Sequence, residues 1–113
     1  MKTEFIKLGQ SAPIGIVFGG NPEMRNHVIQ LFESFDQVSV IGVLSEEEGI
    51  AKLKSLSKVD FALIGGRYSL DQRIRIRKSL KEFWPKAFTT EPGIDYTYGE
   101  KEILNDLTKR LGL

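Results

Sequence analysis

The chain contains no cysteine and only one histidine, His27, in 113 residues. Without cysteine it forms no disulfide bond, and a single histidine outside any carboxylate cluster predicts no metal site. An excess of one charge is also missing, because 16 Lys and Arg face 15 Asp and Glu. A net charge of +1 creates no overall field toward nucleic acid, so we expect no nucleic-acid partner.

Long apolar segments are absent as well. No apolar run approaches the roughly 20 residues that span a bilayer, and residues 1–13 lack the apolar core of a signal peptide. We therefore expect a cytoplasmic protein with no membrane partner. The length and a hydrophobic fraction of 41% fit one core. The sequence predicts a single α/β domain over residues 14–113, preceded by an N-terminal arm or an extra edge strand in residues 1–13.

Apolar segments and amphipathic helices alternate along the chain. The predicted strands are residues 14–18, 38–44, 59–64 and 87–90. Three of the helices are predicted to begin at Asn21-Pro22, Ser45 and Ser69, which are favoured residue types at helix starts. The alternation predicts a three-layer α/β/α sandwich with an open parallel sheet of about four strands in the order 2-1-3-4.

Two glycine pairs fall at matching places in this predicted sheet. Gly19-Gly20 follows the first strand and Gly65-Gly66 follows the third, and these strand ends flank the topological switch point where ligands bind. Exposed backbone amides beside a helix start can hold a phosphate. The candidate ligand-binding set is Gly19, Gly20, Asn21, Gly65, Gly66, Arg67, Thr89 and Thr90. The alternative is that the glycines serve turn geometry alone.

The standard nucleotide motifs are incomplete. The segment GIVFGGNPEM has no third glycine for G-x-G-x-x-G, and no G-x-x-x-x-G-K-[ST] occurs. Leu44-Ser45 stands where a dinucleotide site places its ribose-binding acid. We therefore expect no complete NAD site, while a mononucleotide or a simple phosphate remains open.

A basic helix is predicted over residues 70–84. Arg73, Arg77 and Lys81 recur every four residues and so share one face, and the helix carries more apolar surface than one stripe needs. The candidate partner-binding set is Arg73, Ile76, Arg77, Lys81 and Trp84, for a homodimer or a protein partner. The alternative is an ordinary solvated face.

The segment KVDFALIGG, residues 58–66, resembles the receiver domain of bacterial response regulators, which has a flavodoxin-like fold. Gly65 stands where the family has its phosphoacceptor Asp, and Phe18, Gly19 and Gly20 stand where it has its magnesium-binding acids. The resemblance implies a degenerate receiver that is not phosphorylated and that acts by binding a partner. The layout is also similar to small Rossmann-like domains that bind nucleotides or coenzyme A.

Three functional hypotheses follow from these patterns. The first is a non-catalytic binding domain for an anionic, phosphate- or nucleotide-bearing ligand at the carboxyl ends of the first and third strands. The second is the degenerate receiver-like interaction module. The third is an enzyme using the loop around Asp95 to Tyr98, and it is the weakest, because no nucleophile or acid/base pair can be named there.

Overall fold

Strands and helices alternate through the part of the chain that the structure, a computed structural model, describes, which is residues 4–6 and 12–113. The strands are β1 Glu4–Phe5, β2 Ile14–Phe18, β3 Ser39–Val43, β4 Phe61–Ile64 and β5 Phe88–Thr90. The helices are α1 Pro22–Phe35, α2 Glu46–Ser55, α3 Leu70–Phe83 and α4 Glu100–Leu111. Within residues 1–13, which are predicted as an arm or an edge strand, β1 pairs antiparallel with β3. Residues 1–3 and 7–11 of that segment lie outside the described residues.

The five strands form one sheet in the order β1-β3-β2-β4-β5. β3, β2, β4 and β5 are parallel. The predicted α/β class and the order 2-1-3-4 are therefore confirmed, and the sheet is compatible with a flavodoxin-like fold. Since β3 and β4 lie on opposite sides of β2, the carboxyl ends of β2 and β4 meet at the switch point.

Two apolar layers cover the faces of the sheet. On one face α1 and α4 pack through Val28, Ile29, Phe32, Ile103 and Leu107. On the other face α2 and α3 pack through Leu53, Ile76 and Leu80. No helix in the described ranges combines the length and the apolar composition needed to cross a bilayer.

Side-chain caps fix where three helices start. The Asn21 side chain accepts a hydrogen bond from the Met24 amide at 2.9 Å, with Pro22 in the first turn of α1. Ser45 caps α2 in the same way. Ser69 and Gln72 form a reciprocal capping box at α3. Because each cap follows its strand closely, the turns after β2 and β4 are short and well defined.

Candidate functional site

A cavity of about 280 Å³ opens at the carboxyl ends of β2 and β4. Val17 and Leu63, which are register partners on the two strands, both contribute to its lining. The remaining lining residues are Phe18, Gly19, Gly20, Met24, Val28, Gly65, Gly66, Arg67 and Tyr98. We call this the switch-point cavity. Both glycine pairs and Arg67 of the predicted ligand set line it.

Hydrogen bonds hold the two glycine turns together. The Gly65 amide donates to the Phe18 carbonyl at 2.9 Å, and the Tyr68 hydroxyl donates to the Gly19 carbonyl at 3.0 Å. Burial, together with the nearby carboxylates of α2, raises the pKa of Tyr68 to about 12, so its hydroxyl remains a donor at neutral pH. The Gly19 amide donates to the Val43 carbonyl. The fold therefore uses the amides of Gly19 and Gly65 internally, which leaves them unavailable to an anion.

Gly20 and Gly66 play different roles in these turns, although neither has a positive φ. A Cβ at Gly20 would lie 2.6 Å from Cβ and Cγ of Arg67, so glycine is needed there to let the Arg67 stem pass. A Cβ at Gly66 would meet nothing within 4 Å. Internal packing thus explains Gly20, whereas neither packing nor backbone conformation requires a glycine at position 66.

Arg67 supplies the only charged side chain among the residues that line the switch-point cavity. Its guanidinium is exposed and forms no hydrogen bond or ion pair with the described residues. It also borders a second depression of about 200 Å³, lined in part by Ser45, Glu46 and Gln72. The structure therefore presents one unpaired cation at the rim of an otherwise mostly apolar cavity.

The comparisons with known proteins found no similar protein. No family model matches the chain, and no curated protein or solved structure matches it either. They lend no support to the receiver resemblance. Asp60, the acidic residue of the segment 58–66 that carries this resemblance, lies just before β4, where it accepts a hydrogen bond from the Ile14 amide at 2.8 Å. That is the amino end of the strand, opposite to the cavity.

A second set of polar residues lies at the same edge of the sheet, and its members form hydrogen bonds with one another. Glu91, 1% exposed, follows β5 and receives hydrogen bonds from Arg73, Arg77 and Thr89 at 2.8–3.1 Å. We call these four residues the Glu91 cluster. Burial favours the protonated acid and is the largest single influence on Glu91, but the donors together outweigh it and lower its pKa below the usual value. Glu91 is therefore an ionised carboxylate paired with two guanidinium groups.

Arg73 connects the Glu91 cluster to the switch-point cavity. Arg73 also donates to the Gly65 carbonyl at 2.6 Å and to the Tyr68 carbonyl at 3.1 Å. The buried ion pair consequently fixes the turn that carries Gly65 and Gly66. No motif or spacing in the sequence indicates this positioning role, because Glu91 and Arg73 lie on different elements that only the fold brings together.

The residues of the predicted partner-binding set on α3 lie in different surroundings. Ile76 has no exposed surface, and Arg73 is only 3% exposed, so neither is available to a partner. Arg77 is bound to Glu91, and the Trp84 indole donates to the Leu53 carbonyl at 2.8 Å. Arg73, Ile76, Arg77 and Leu80 have the i, i+3, i+4, i+7 spacing of an inward-facing stripe, which was the available signal. Of the predicted set, only Lys81 is exposed and forms no hydrogen bond or ion pair with the described residues.

Three residues of the predicted ligand set lie outside the lining of the switch-point cavity. Thr89 donates to Glu91, and the buried Thr90 hydroxyl bonds to Tyr96 and Asp106. Neither threonine lines the switch-point cavity. Asn21 is occupied as the cap of α1. Met24, Val28 and Tyr98, which do line the cavity, were not in the predicted set, because nothing in their spacing links them to the glycine turns.

Proposed function

We propose that this protein is a non-catalytic binding domain that holds a small anionic ligand in the switch-point cavity. The observation that carries the proposal is Arg67, an unpaired guanidinium at the rim of a cavity that both glycine turns line. Arginine favours carboxylate and phosphate groups because its planar fork donates two parallel hydrogen bonds. Its position at the carboxyl ends of β2 and β4 is where open α/β sheets bind ligands.

The contrast with the three arginines of α3 supports this assignment. Arg73 and Arg77 share the carboxylate of Glu91, and Arg75 is paired with Glu46 at 2.5 Å. Those guanidinium groups are already neutralised by the protein itself. In contrast to these three, Arg67 has no described counterpart for its charge, and an anionic ligand would provide one.

The chemistry of the cavity favours binding over catalysis. Apart from Arg67, Tyr98 is the only titratable side chain that lines it. General acid/base catalysis needs a group that exchanges protons near neutral pH within reach of the substrate, and nucleophilic catalysis needs a nucleophile beside a base. Asp95, in the loop considered for an active site, is exposed and does not line this cavity.

The first test is a thermal-shift screen of the wild-type protein with inorganic phosphate, nucleoside monophosphates, flavin mononucleotide and coenzyme A. A ligand that binds only the folded state must raise Tm by mass action. At least one of these anions is expected to raise Tm in a concentration-dependent way. If none does so at millimolar concentration, the proposal is wrong.

A charge variant at Gly66 locates the binding site. Gly65 is unsuitable, since a Cβ there would lie 3.0 Å from the Phe18 carbonyl oxygen, whereas at Gly66 it meets nothing. Gly66→Asp should weaken binding of the identified anion at least tenfold by like-charge repulsion. Gly66→Asn, of the same shape without the charge, is the matched control and should bind more tightly than Gly66→Asp. Equal affinities of the two variants would contradict an anion at this turn.

Protein interaction through α3 is a second candidate, now carried by different residues. Leu70 and Ile74, one helical turn apart, are 66% and 50% exposed. Exposed apolar neighbours of this kind can form part of an interface. If α3 mediates self-association, sedimentation velocity should show a dimer that the double variant Leu70→Ser, Ile74→Ser loses. A monomer at the highest accessible concentration would contradict self-association.

A further inference from the structure

The lining of the switch-point cavity divides into an apolar part and a polar rim. Val17, Val28 and Leu63 are buried and form the apolar part. Met24 and Tyr98 also line the cavity and are 42% and 46% exposed. A methionine thioether and a tyrosine ring are both favourable contacts for an aromatic ring.

The cavity volume limits the size of the ligand. A cavity of about 150 Å³ holds benzene, and pockets for drug-sized molecules occupy about 300–1,000 Å³. At about 280 Å³, the switch-point cavity is large enough for a ring system with one substituent. A dinucleotide would have to extend well outside it.

The charges around the cavity limit the ligand to one anionic group. Arg67 is the one cation in the lining, and the amides of Gly19 and Gly65 are already bonded to carbonyl groups. Beyond Arg67 lies the depression that Glu46 lines. A chain of phosphates extending past Arg67 would therefore approach a carboxylate that is already paired with Arg75, and it would find no second unpaired cation among the residues that line this depression.

We infer that the ligand of the switch-point cavity is an aromatic ring system carrying a single anionic group, of the size of a nucleoside monophosphate. The ring contacts Met24 and Tyr98 over the apolar part, and the anion pairs with Arg67 beside Gly66. This inference rests on the proposed function and adds the ligand class and two specificity-determining side chains. Nucleoside monophosphates and aromatic carboxylates share the required chemistry.

A calorimetric affinity series with the wild-type protein tests the class. The probes are the four ribonucleoside monophosphates, adenosine, ATP, inorganic phosphate and indole-3-acetate. At least one aromatic anion should bind about a hundredfold more tightly than inorganic phosphate. If AMP is that anion, adenosine should bind at least tenfold more weakly than AMP. The affinity for ATP should not exceed the affinity for AMP. Tightest binding of indole-3-acetate would identify a carboxylate as the anionic group.

The failures of the two proposals are distinguishable in this series. If inorganic phosphate binds as tightly as every aromatic anion, or if ATP binds much more tightly than AMP, the inference is overturned while the anion site stands. If no probe binds, both are overturned.

Variants at Tyr98 test the ring contact separately from the anion. Loss of a stacked aromatic side chain weakens base binding by about tenfold or more. Tyr98→Ala should therefore weaken binding of the aromatic anion with the highest affinity to that extent. Tyr98→Phe keeps the ring and should bind like the wild type. Lys78→Ala removes an exposed cation of α3 that is absent from the cavity lining and should leave the affinity unchanged. Unchanged affinity in Tyr98→Ala would show that Tyr98 does not contact an aromatic ring of the ligand.

Discussion

The carboxyl edge of the sheet has two polar regions that differ in how their charges are satisfied. At the end of β5 the Glu91 cluster buries a carboxylate between two guanidinium groups. At the ends of β2 and β4 the switch-point cavity leaves Arg67 unpaired and exposed. A buried ion must be paired because its desolvation is costly, whereas an exposed cation is solvated by water and needs no partner within the protein. The difference separates arginines that are bound within the fold from the arginine that we propose binds a ligand.

Removing Glu91 should break this contrast most severely. Glu91→Ala leaves Arg73 buried without its carboxylate, and breaking a buried pair in this way costs about 3–5 kcal/mol. The free energy of unfolding, measured by urea denaturation, should fall by that amount. Glu82→Ala, an exposed acid on α3, is the control and should change it by less than about 0.5 kcal/mol. If Glu91→Ala lowered the free energy of unfolding by no more than this control does, the cluster would not stabilise the fold.

The two arginines of the cluster should differ from each other. Their side chains are 3% exposed in Arg73 and 39% exposed in Arg77. Arg73→Ala removes a buried partner of Glu91, which keeps only Arg77 and Thr89, and also removes the bonds to the Gly65 and Tyr68 carbonyls, so it should lower the free energy of unfolding by about 3 kcal/mol. Arg77→Ala should lower it by about 1 kcal/mol, because its pair is partly screened by water. Equal losses in urea denaturation would show that burial does not decide their contributions.

Acid should weaken the cluster. The pKa of Glu91 is lowered in the folded state from the ordinary value of 4.5, so its ionised form stabilises the fold above that pH. This contribution is lost as the pH falls through the folded-state pKa. Below about pH 4.5 the free energy of unfolding of the wild type should therefore decline more steeply than that of Glu91→Gln. Parallel acid-denaturation curves of the two proteins would contradict this.

The smallest effect on stability is expected at the cavity. Arg67→Ala removes an exposed side chain with no described bond, so the free energy of unfolding should change by no more than about 0.5 kcal/mol. The same variant should weaken binding of an identified anion at least tenfold. Thermal denaturation with and without ligand measures both quantities. A large loss of stability without ligand would place Arg67 with the structural arginines instead.

Local sequence patterns were sufficient for much of the architecture. The strand segments, the caps at Asn21, Ser45 and Ser69, and the parallel order follow from apolar runs, capping chemistry and short crossovers. These features depend on neighbours within a few residues or on general rules of connection. The meeting of both glycine turns at one cavity follows from that order.

Pairing between distant residues could not be predicted in the same way. The spacing of Arg73 and Arg77 fits both a basic surface and an inward-facing stripe, and only the approach of Glu91 from β5 distinguishes them. The sequence by itself determined the sheet, its helices and the place of the cavity, because these arise from local periodicity. The tertiary structure decided which charges are paired, because desolvation and hydrogen bonding depend on groups that only folding brings together.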